Sequence, residues 1–265
     1  MSDETGTGRM RTGKAWLRRL AADLRIGLLF ATRLPLPLRQ AITGRDIARA
    51  SWTLPIVGAL IGLLSALIFA IAFRLALPPL VVATLAVAAS LGITGCLHED
   101  GLADVCDALG GVTRERKLEI MRDSRIGAFG ACALILSLLL RVGAIASFAT
   151  PAQAALALIA AHAGARALLP ALLLAVPPAR MDGLSADTGR PPAESVLAAL
   201  LIGLAALFLC LGLARSLAAL ILLLITFAFM RALCLSQFGG QSGDTAGALE
   251  QLAEIAILMV AVDRA

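Results

Sequence analysis

Apolar stretches long enough to cross a lipid bilayer recur along this 265-residue chain, and they restrict its fold more than any other feature. A membrane helix needs about 20 predominantly apolar residues, because the hydrocarbon core is about 30 Å thick. Hydrophobic residues make up 59% of the sequence and the mean hydropathy is +0.89, which excludes an ordinary soluble globule. We therefore predict an all-α, polytopic helical bundle with about seven spans, at residues 52–73, 80–97, 127–148, 152–176, 196–213, 217–235 and 248–262.

The N-terminal part of the chain is basic. Ten Lys and Arg residues precede residue 52, whereas the net charge of the whole chain is only +5. Such a segment could bind nucleic acid, but before a run of membrane helices it is more typical of contact with anionic headgroups. We expect residues 1–13 to be disordered and residues 14–32 to form an interfacial helix, because arginines interrupt its apolar positions. Residues 14–265 would form a single membrane-embedded catalytic domain.

Three polar loops are predicted to share one side of the membrane. The positive-inside rule places the basic N-terminus in the cytoplasm. Counting spans from there puts the loops at residues 98–126, 177–195 and 236–247 on the cytoplasmic side. These loops contain the acidic and Gly-rich strings of the chain. The sequence therefore predicts one exposed site on the cytoplasmic face of the membrane.

The loop at residues 98–126 begins with the densest group of acids, HEDGLADVCDALGG. In a helix, Asp100, Asp104 and Asp107 would lie on one face, since they are spaced i, i+4 and i+7. Carboxylates so close repel one another, and Mg²⁺ is a hard cation that suits oxygen ligands. Gly101 and Ala103 between the acids would leave room for a bulky ligand. A solvated loop of mixed charge is the alternative interpretation.

Basic residues follow the acids, at Arg114, Arg116, Lys117, Arg122 and Arg125. Arginine and lysine side chains bind phosphate oxygens, and a metal held beside them would neutralise a diphosphate. A merely solvated helix would be expected to alternate its charges along the sequence. The order of acids followed by bases thus indicates phosphoryl-transfer chemistry.

Two further polar groups are candidate ligands. The string GGQSGDTAGA places Asp244 among small residues, and the backbone amides of Gly239 and Gly240 could approach phosphate oxygens. An ordinary polar turn is the alternative there. Arg166 lies inside the fourth predicted span, where an ionisable group is costly, so it could contact phosphate or pair with an acid. A histidine beside acids, such as His98, is more often a hydrogen-bond partner than a base.

Several strings of the chain resemble the signature of one enzyme family. HEDGLADVCDALGG and LEIMRDSRIGAFG are similar to the signature region of cobalamin-5'-phosphate synthase, also called adenosylcobinamide-GDP ribazoletransferase. The resemblance continues at RLPLP (residues 33–37), LPIVG (54–58) and GGQSGDTAGA (239–248). It covers most of the chain, in the expected order. The members of this family are integral membrane proteins.

The resemblance implies a reaction and a set of roles. A ribose hydroxyl of α-ribazole, or of its 5'-phosphate, would attack adenosylcobinamide-GDP, GMP would leave, and Mg²⁺ would neutralise the diphosphate. The implied catalytic residues are Asp100, Asp104, Asp107 and Asp123. The implied metal ligands are Glu99, Asp100, Asp104, Asp107 and Asp244. The implied substrate contacts are Lys117, Arg122, Arg125, Arg166, Gly239, Gly240 and Asp244.

Two other functions fit parts of the same pattern. A CDP-alcohol phosphotransferase of lipid synthesis also uses spaced aspartates on membrane helices, but DGLAD lacks the Ala-Arg pair expected after the first DG. A cation transporter would use the acids as an ion path, although transport sites usually lie near the bilayer midplane. The five cysteines have no CxxC spacing, which argues against a zinc site or a disulfide framework. The sequence leaves a homo-oligomer open.

Overall fold

The computed structural model describes residues 4–37, 41–180, 182 and 187–262, with side chains from Trp16 onward. Within these residues the fold is all-α and contains no β-strand, although Pro178 and Gln241 form an isolated parallel bridge. The all-α helical bundle predicted from the sequence is confirmed. Its helices are α1 (Glu4–Ala31), α2 (Gly44–Ala50), α3 (Leu54–Arg74), α4 (Pro79–Thr94), α5 (Leu97–Ala108), α6 (Arg114–Ile120), α7 (Ala128–Ala146), α8 (Pro151–Ala167), α9 (Leu169–Ala175), α10 (Ala193–Leu233) and α11 (Gly243–Ala261).

Fewer helices than expected qualify as membrane spans by length and composition. The described residues contain four candidate spans, which are Gly44–Arg74, Ala128–Ala146, Pro151–Ala175 and Ala193–Phe238. A fifth would require α4 and α5 to be counted together, but these two helices meet at a bend of 90°. The chain is therefore a multi-pass membrane protein, while the count of seven spans is not confirmed.

The two spans predicted at residues 196–213 and 217–235 correspond to the two halves of α10, which a kink separates. Its backbone leaves the helical conformation at Gly212, where φ is 74° and ψ is 177°. The 46-residue candidate span that contains α10 would be about 70 Å long if straight, more than twice the hydrocarbon thickness. A kink at a glycine lets the chain change direction there. The last predicted span coincides with α11, which carries three carboxylates and is not among the candidates.

Helix α1 is longer than the interfacial helix that the sequence predicted. It begins at Glu4, inside the segment 1–13 for which disorder was predicted, and it ends at Ala31. Its Asp23 carboxylate accepts hydrogen bonds from Arg49 Nε at 3.1 Å and from Trp52 Nε1 at 3.1 Å. These bonds join α1 to α2 and to the turn that leads into α3, so α1 is fixed against the bundle.

Helices α3 and α8 lie in close backbone contact. A Cβ atom added at Gly58 would collide with the carbonyl oxygen of His162, and one added at Gly62 would lie 2.5 Å from the carbonyl oxygen of Leu158. Small residues allow membrane helices to approach in this way, which increases their van der Waals contact. Helix α8 is consequently enclosed, with Ala161 among its fully buried residues.

Helix α11 is mostly apolar but carries two carboxylates that are buried inside the bundle. Glu250 and Glu254 are spaced i, i+4 and lie on one face, and they are 0% and 1% exposed. Two arginines from neighbouring helices neutralise them. Arg166 of α8 places Nη1 2.5 Å from Glu250 Oε1, and Arg141 of α7 places Nε 3.0 Å from Glu254 Oε1.

Further side chains extend these two ion pairs into a connected group. His162 Nδ1 lies 3.0 Å from Glu254 Oε2, and His98 Nδ1 lies 3.3 Å from Glu250 Oε2. Glu99 Oε1 accepts hydrogen bonds from Arg141 and Gln251. Charges in apolar surroundings are tolerated when they are paired and hydrogen-bonded, so these contacts hold α5, α7 and α8 to α11. We call this group the buried ion network; its members are His98, Glu99, Arg141, His162, Arg166, Glu250, Gln251 and Glu254.

Replacing Glu254 should destabilise the whole bundle. In Glu254→Gln, Arg141 and His162 would remain buried after losing a charged partner, and we expect the free energy of unfolding to fall by about 3 kcal/mol. Unfolding by SDS titration in mixed micelles measures this loss. The matched control is Glu119→Gln, whose partner Arg116 is exposed, and it should change stability by less than about 1 kcal/mol. Equal effects of the two substitutions would contradict a stabilising role for the network.

Candidate active site

Helices α5 and α11 approach closely where the three predicted polar loops meet. A Cβ atom added at Gly101 would lie 2.7 Å from the carbonyl oxygen of Asp244, so a side chain there would push the two helices apart. The prediction that Gly101 makes room for a ligand is therefore wrong, because this glycine makes room for α11. The contact brings Asp100 and Asp104 of α5 towards Asp244 in the first turn of α11.

Asp104 is strongly affected by this grouping of acids. Helix α5 turns away from α4 by 90°, and we place it outside the membrane spans. Partial burial, together with the negative charges of Asp100, Asp244 and Asp107, raises the pKa of Asp104 to about 7. The acids that the sequence predicted to share a helix face thus interact electrostatically. We call Asp100, Asp104 and Asp244 the acidic cluster.

Asp107, the last of the spaced aspartates, contacts the start of α7. Its Oδ2 accepts the backbone N–H of Gly127 at 2.7 Å, and its Oδ1 accepts that of Gly130 at 2.8 Å. The first N–H groups of a helix have no partner within the helix, and a negative charge there is favourable. Asp107 therefore fixes α7 against α5. Its catalytic and metal-binding roles stay predictions.

Three arginines lie around the acidic cluster. Arg180 Nη2 is 3.2 Å from Asp244 Oδ2. Arg125 holds Asp123 through two bonds, Nε to Oδ1 at 2.9 Å and Nη2 to Oδ2 at 2.5 Å. These bonds lower the pKa of Asp123 to about 2, so it is ionised at neutral pH.

Arg122 Nη2 lies 2.7 Å from the carboxylate of Asp182, which links the loop after α6 to the loop after α9.

Two cavities share the wall formed by Asp100 and Asp244. The first, of about 310 Å³, has a mainly apolar lining that includes Phe30, Leu54 and Leu173. The second is larger, about 530 Å³, and charged side chains stand among apolar ones in its lining. Five of the predicted site residues border the second cavity in addition to the two shared aspartates, namely Glu99, Asp104, Arg122, Asp123 and Arg125.

The donor atoms of the acidic cluster suit a hard cation. They are carboxylate oxygens, and the raised pKa of Asp104 reflects repulsion that a divalent cation would relieve. Among the described residues, His162, Glu250 and Glu254 form another group of potential metal ligands, and their donor atoms all lie within 4.8 Å of one another. Arg141 and Arg166 already neutralise those carboxylates.

One predicted substrate contact and one predicted metal ligand belong to the buried ion network. Arg166 is 1% exposed and pairs with Glu250, so its position supports the alternative that it pairs with an acid, not the predicted phosphate contact. Glu99 pairs with Arg141 through Oε1, while its Oε2 has no hydrogen-bond partner among the described residues. Glu99 also borders the second cavity, and its role as a metal ligand stays a prediction.

The Gly-rich string holds a loop in place. The backbone N–H groups of Gly239 and Gly240 both donate to the carbonyl oxygen of Cys234, so both amides already have a partner within the loop, and their contact with phosphate stays a prediction. Gly239 has a φ of 70°, which favours glycine. The next residue, Gln241, exchanges backbone hydrogen bonds with Pro177 and Ala179.

Lys117, another predicted substrate contact, lies on α6 and donates from Nζ to Gln237 Oε1 at 2.5 Å. Lys117 lines neither of the two cavities. The bond ties α6 to the turn after α10, which gives this lysine a position in the fold. Its contact with substrate stays a prediction.

Sequence reasoning missed the partners of the intramembrane arginines. Glu250 and Glu254 sit at i, i+4 spacing in an apolar helix, and buried arginines require acids nearby. This combination of features could have indicated that the arginines pair with these two acids. The sequence does not show which acid meets which arginine, because the pairing depends on how α7 and α8 pack against α11.

Comparisons with known proteins assign this chain to a family. Residues 23–262 match the Cobalamin-5-phosphate synthase family. An adenosylcobinamide-GDP ribazoletransferase of Bradyrhizobium diazoefficiens is 52% identical over 95% of this chain and 97% of its own length. Proteins of the same name from Mesorhizobium japonicum and Azorhizobium caulinodans are 51% and 46% identical, over 92% and 91% of this chain and 94% and 95% of their own lengths. No solved structure matches the chain significantly. The chain therefore belongs to the Cobalamin-5-phosphate synthase family.

Proposed function

We propose that this protein is the membrane transferase of cobalamin biosynthesis that joins adenosylcobinamide-GDP to α-ribazole, or to its 5'-phosphate, and releases GMP. The observation that carries the proposal is that Asp100 and Asp244 of the acidic cluster line two cavities, one of which is also lined by Asp104, Arg122 and Arg125. A reaction between two substrates requires such adjoining sites. The names of the relatives support the choice of substrates.

The proposed cofactor is Mg²⁺, held by Asp100, Asp104 and Asp244. A bound Mg²⁺ would neutralise the diphosphate and so favour departure of GMP. The donor types and the crowding of negative charge around Asp104 support this assignment. Glu99 and Asp107 are further candidate ligands, since each borders the cluster or its second cavity.

The residues of the chain would supply binding and proton transfer. Arg122 and Arg125 line the second cavity and would bind phosphate oxygens, after exchanging their present carboxylate partners. A carboxylate must accept the proton of the attacking ribose hydroxyl. Asp123 suits that role, because it lines the second cavity, is ionised at neutral pH and is not one of the proposed metal ligands.

The proposed orientation places the site on the cytoplasmic face of the inner membrane. The argument is the basic N-terminal region, which the positive-inside rule assigns to the cytoplasm. Both substrates are large and polar, so an aqueous face is required for their entry. The family match favours this transferase over a lipid phosphotransferase or a cation transporter.

Removing the carboxylate of Asp104 should abolish turnover. For Asp104→Ala we expect GMP release from adenosylcobinamide-GDP to fall by about 100-fold or more, because charge stabilisation in the transition state is lost. Purified protein in nanodiscs, supplied with Mg²⁺ and α-ribazole, gives the rate directly. The matched control is Glu115→Ala on the exposed surface of α6, which should retain activity. Near-normal turnover by Asp104→Ala would remove this residue from the site.

The stability of the metal-free protein should fall as pH rises. The pKa of Asp104 is raised from 3.8 to about 7 in the folded protein, so the unfolded chain ionises first and ionisation then disfavours the folded state. We expect a lower Tm in EDTA at pH 8 than at pH 5.5, and a larger rise on adding Mg²⁺ at pH 8. The variant Asp104→Asn should flatten both effects. An equal response of wild type and variant to Mg²⁺ would contradict binding at this cluster.

A further inference from the structure

The first cavity has the chemistry of a site for a flat apolar ring. Phe30 of α1, Ile47 of α2, Leu54 of α3, and Leu169 and Leu173 of α9 line it. Its volume of about 310 Å³ is at the lower end of the range for small-molecule sites, roughly 300–1,000 Å³. A corrinoid is too large for this space, and none of these five side chains carries a charge.

The polar end of the same cavity adjoins the acidic cluster. Asp100, Asp244 and Arg180 line it there, with Arg180 Nη2 3.2 Å from Asp244 Oδ2. The two aspartates also face the second cavity, where Arg122 and Arg125 lie. A molecule with an apolar ring in the first cavity would therefore present its polar end at the shared wall.

We propose that the first cavity binds α-ribazole, with its benzimidazole ring among Phe30, Leu54 and Leu173 and its ribose at the wall formed by Asp100 and Asp244. This inference rests on the proposed function. The diphosphate of adenosylcobinamide-GDP occupies the second cavity. The attacking ribose oxygen forms a bond to the phosphorus that carries the corrinoid, the bond from that phosphorus to the GMP oxygen breaks, and the hydroxyl proton passes to a carboxylate.

The cavity lies near the amphipathic helix α1, so a lipid tail is a competing occupant. The polar end argues against it, because a lipid tail would leave His98 and Asp100 beside hydrocarbon. A nucleoside matches both ends of the cavity. Its ring suits the apolar lining, and its hydroxyls can hydrogen-bond to the carboxylates.

The test is to fill the cavity from one side. In Leu173→Trp, the larger side chain should raise the KM for α-ribazole by roughly tenfold or more and leave the KM for adenosylcobinamide-GDP within about twofold. The matched control is Leu174→Trp, the next residue of α9, which is 36% exposed and does not line the cavity. It should change neither constant. Calorimetric binding of α-ribazole alone, without the corrinoid substrate, should weaken in parallel in Leu173→Trp.

The outcomes separate this inference from the proposed function. If wild-type protein releases no GMP from the two substrates, the proposed function fails and the inference fails with it. If the wild type is active but Leu173→Trp changes only the KM for adenosylcobinamide-GDP, or neither constant, the inference is overturned and the function stands. A retained phospholipid that Leu173→Trp displaces, with an unchanged KM for α-ribazole, would make the cavity a lipid site. Ile47→Trp fills the cavity from α2 and gives the same readout if Leu173→Trp does not fold.

Discussion

The pairing of Glu250 and Glu254 with two buried arginines is the interaction on which the rest of this structure depends. Unpaired charges of this kind would be too costly inside an apolar bundle, so helices that carry them must assemble with their partners. Helix α11 supplies the two carboxylates, while α7 and α8 supply Arg141 and Arg166. One helix thereby fixes the positions of its neighbours.

The candidate site follows from where α11 begins. Its first turn carries Asp244, and the absence of a side chain at Gly101 allows α5 to lie against that turn. The same packing places Asp100 and Asp104 beside it and leaves a cavity on either side. The first cavity has a mainly apolar lining, and charged side chains border much of the second. Two adjoining cavities of different character suit the proposed transfer between two substrates.

Much of the chemistry could be predicted from local sequence. Helix periodicity predicts that the aspartates of α5, spaced i, i+4 and i+7, share one face. Residue type alone identifies the acid in the Gly-rich string as a candidate ligand. The family signature added the proposed reaction. Apolar run length also predicted the class of fold, and the break that it predicted between residues 213 and 217 lies close to the kink of α10 at Gly212, although the count of seven spans is not confirmed.

What the sequence could not provide was the choice between two possible partners for the same residue. Arg166 could have met a phosphate or an acid, and it meets Glu250, which lies 84 positions further along the chain. Gly101 could have opened space for a ligand or for a helix, and it admits α11. The amides of Gly239 and Gly240 are used by the carbonyl of Cys234. Each of these outcomes depends on contacts between helices distant in sequence.

The most direct test of this account is whether one divalent cation bridges α5 and α11. Manganese can replace magnesium at oxygen sites, and its EPR signal reports how much of it is bound. Titration of the purified protein should reveal one tight Mn²⁺ site that is lost in Asp100→Asn on α5 and equally in Asp244→Asn on α11. Tight binding that survives both substitutions would contradict a site built between these helices.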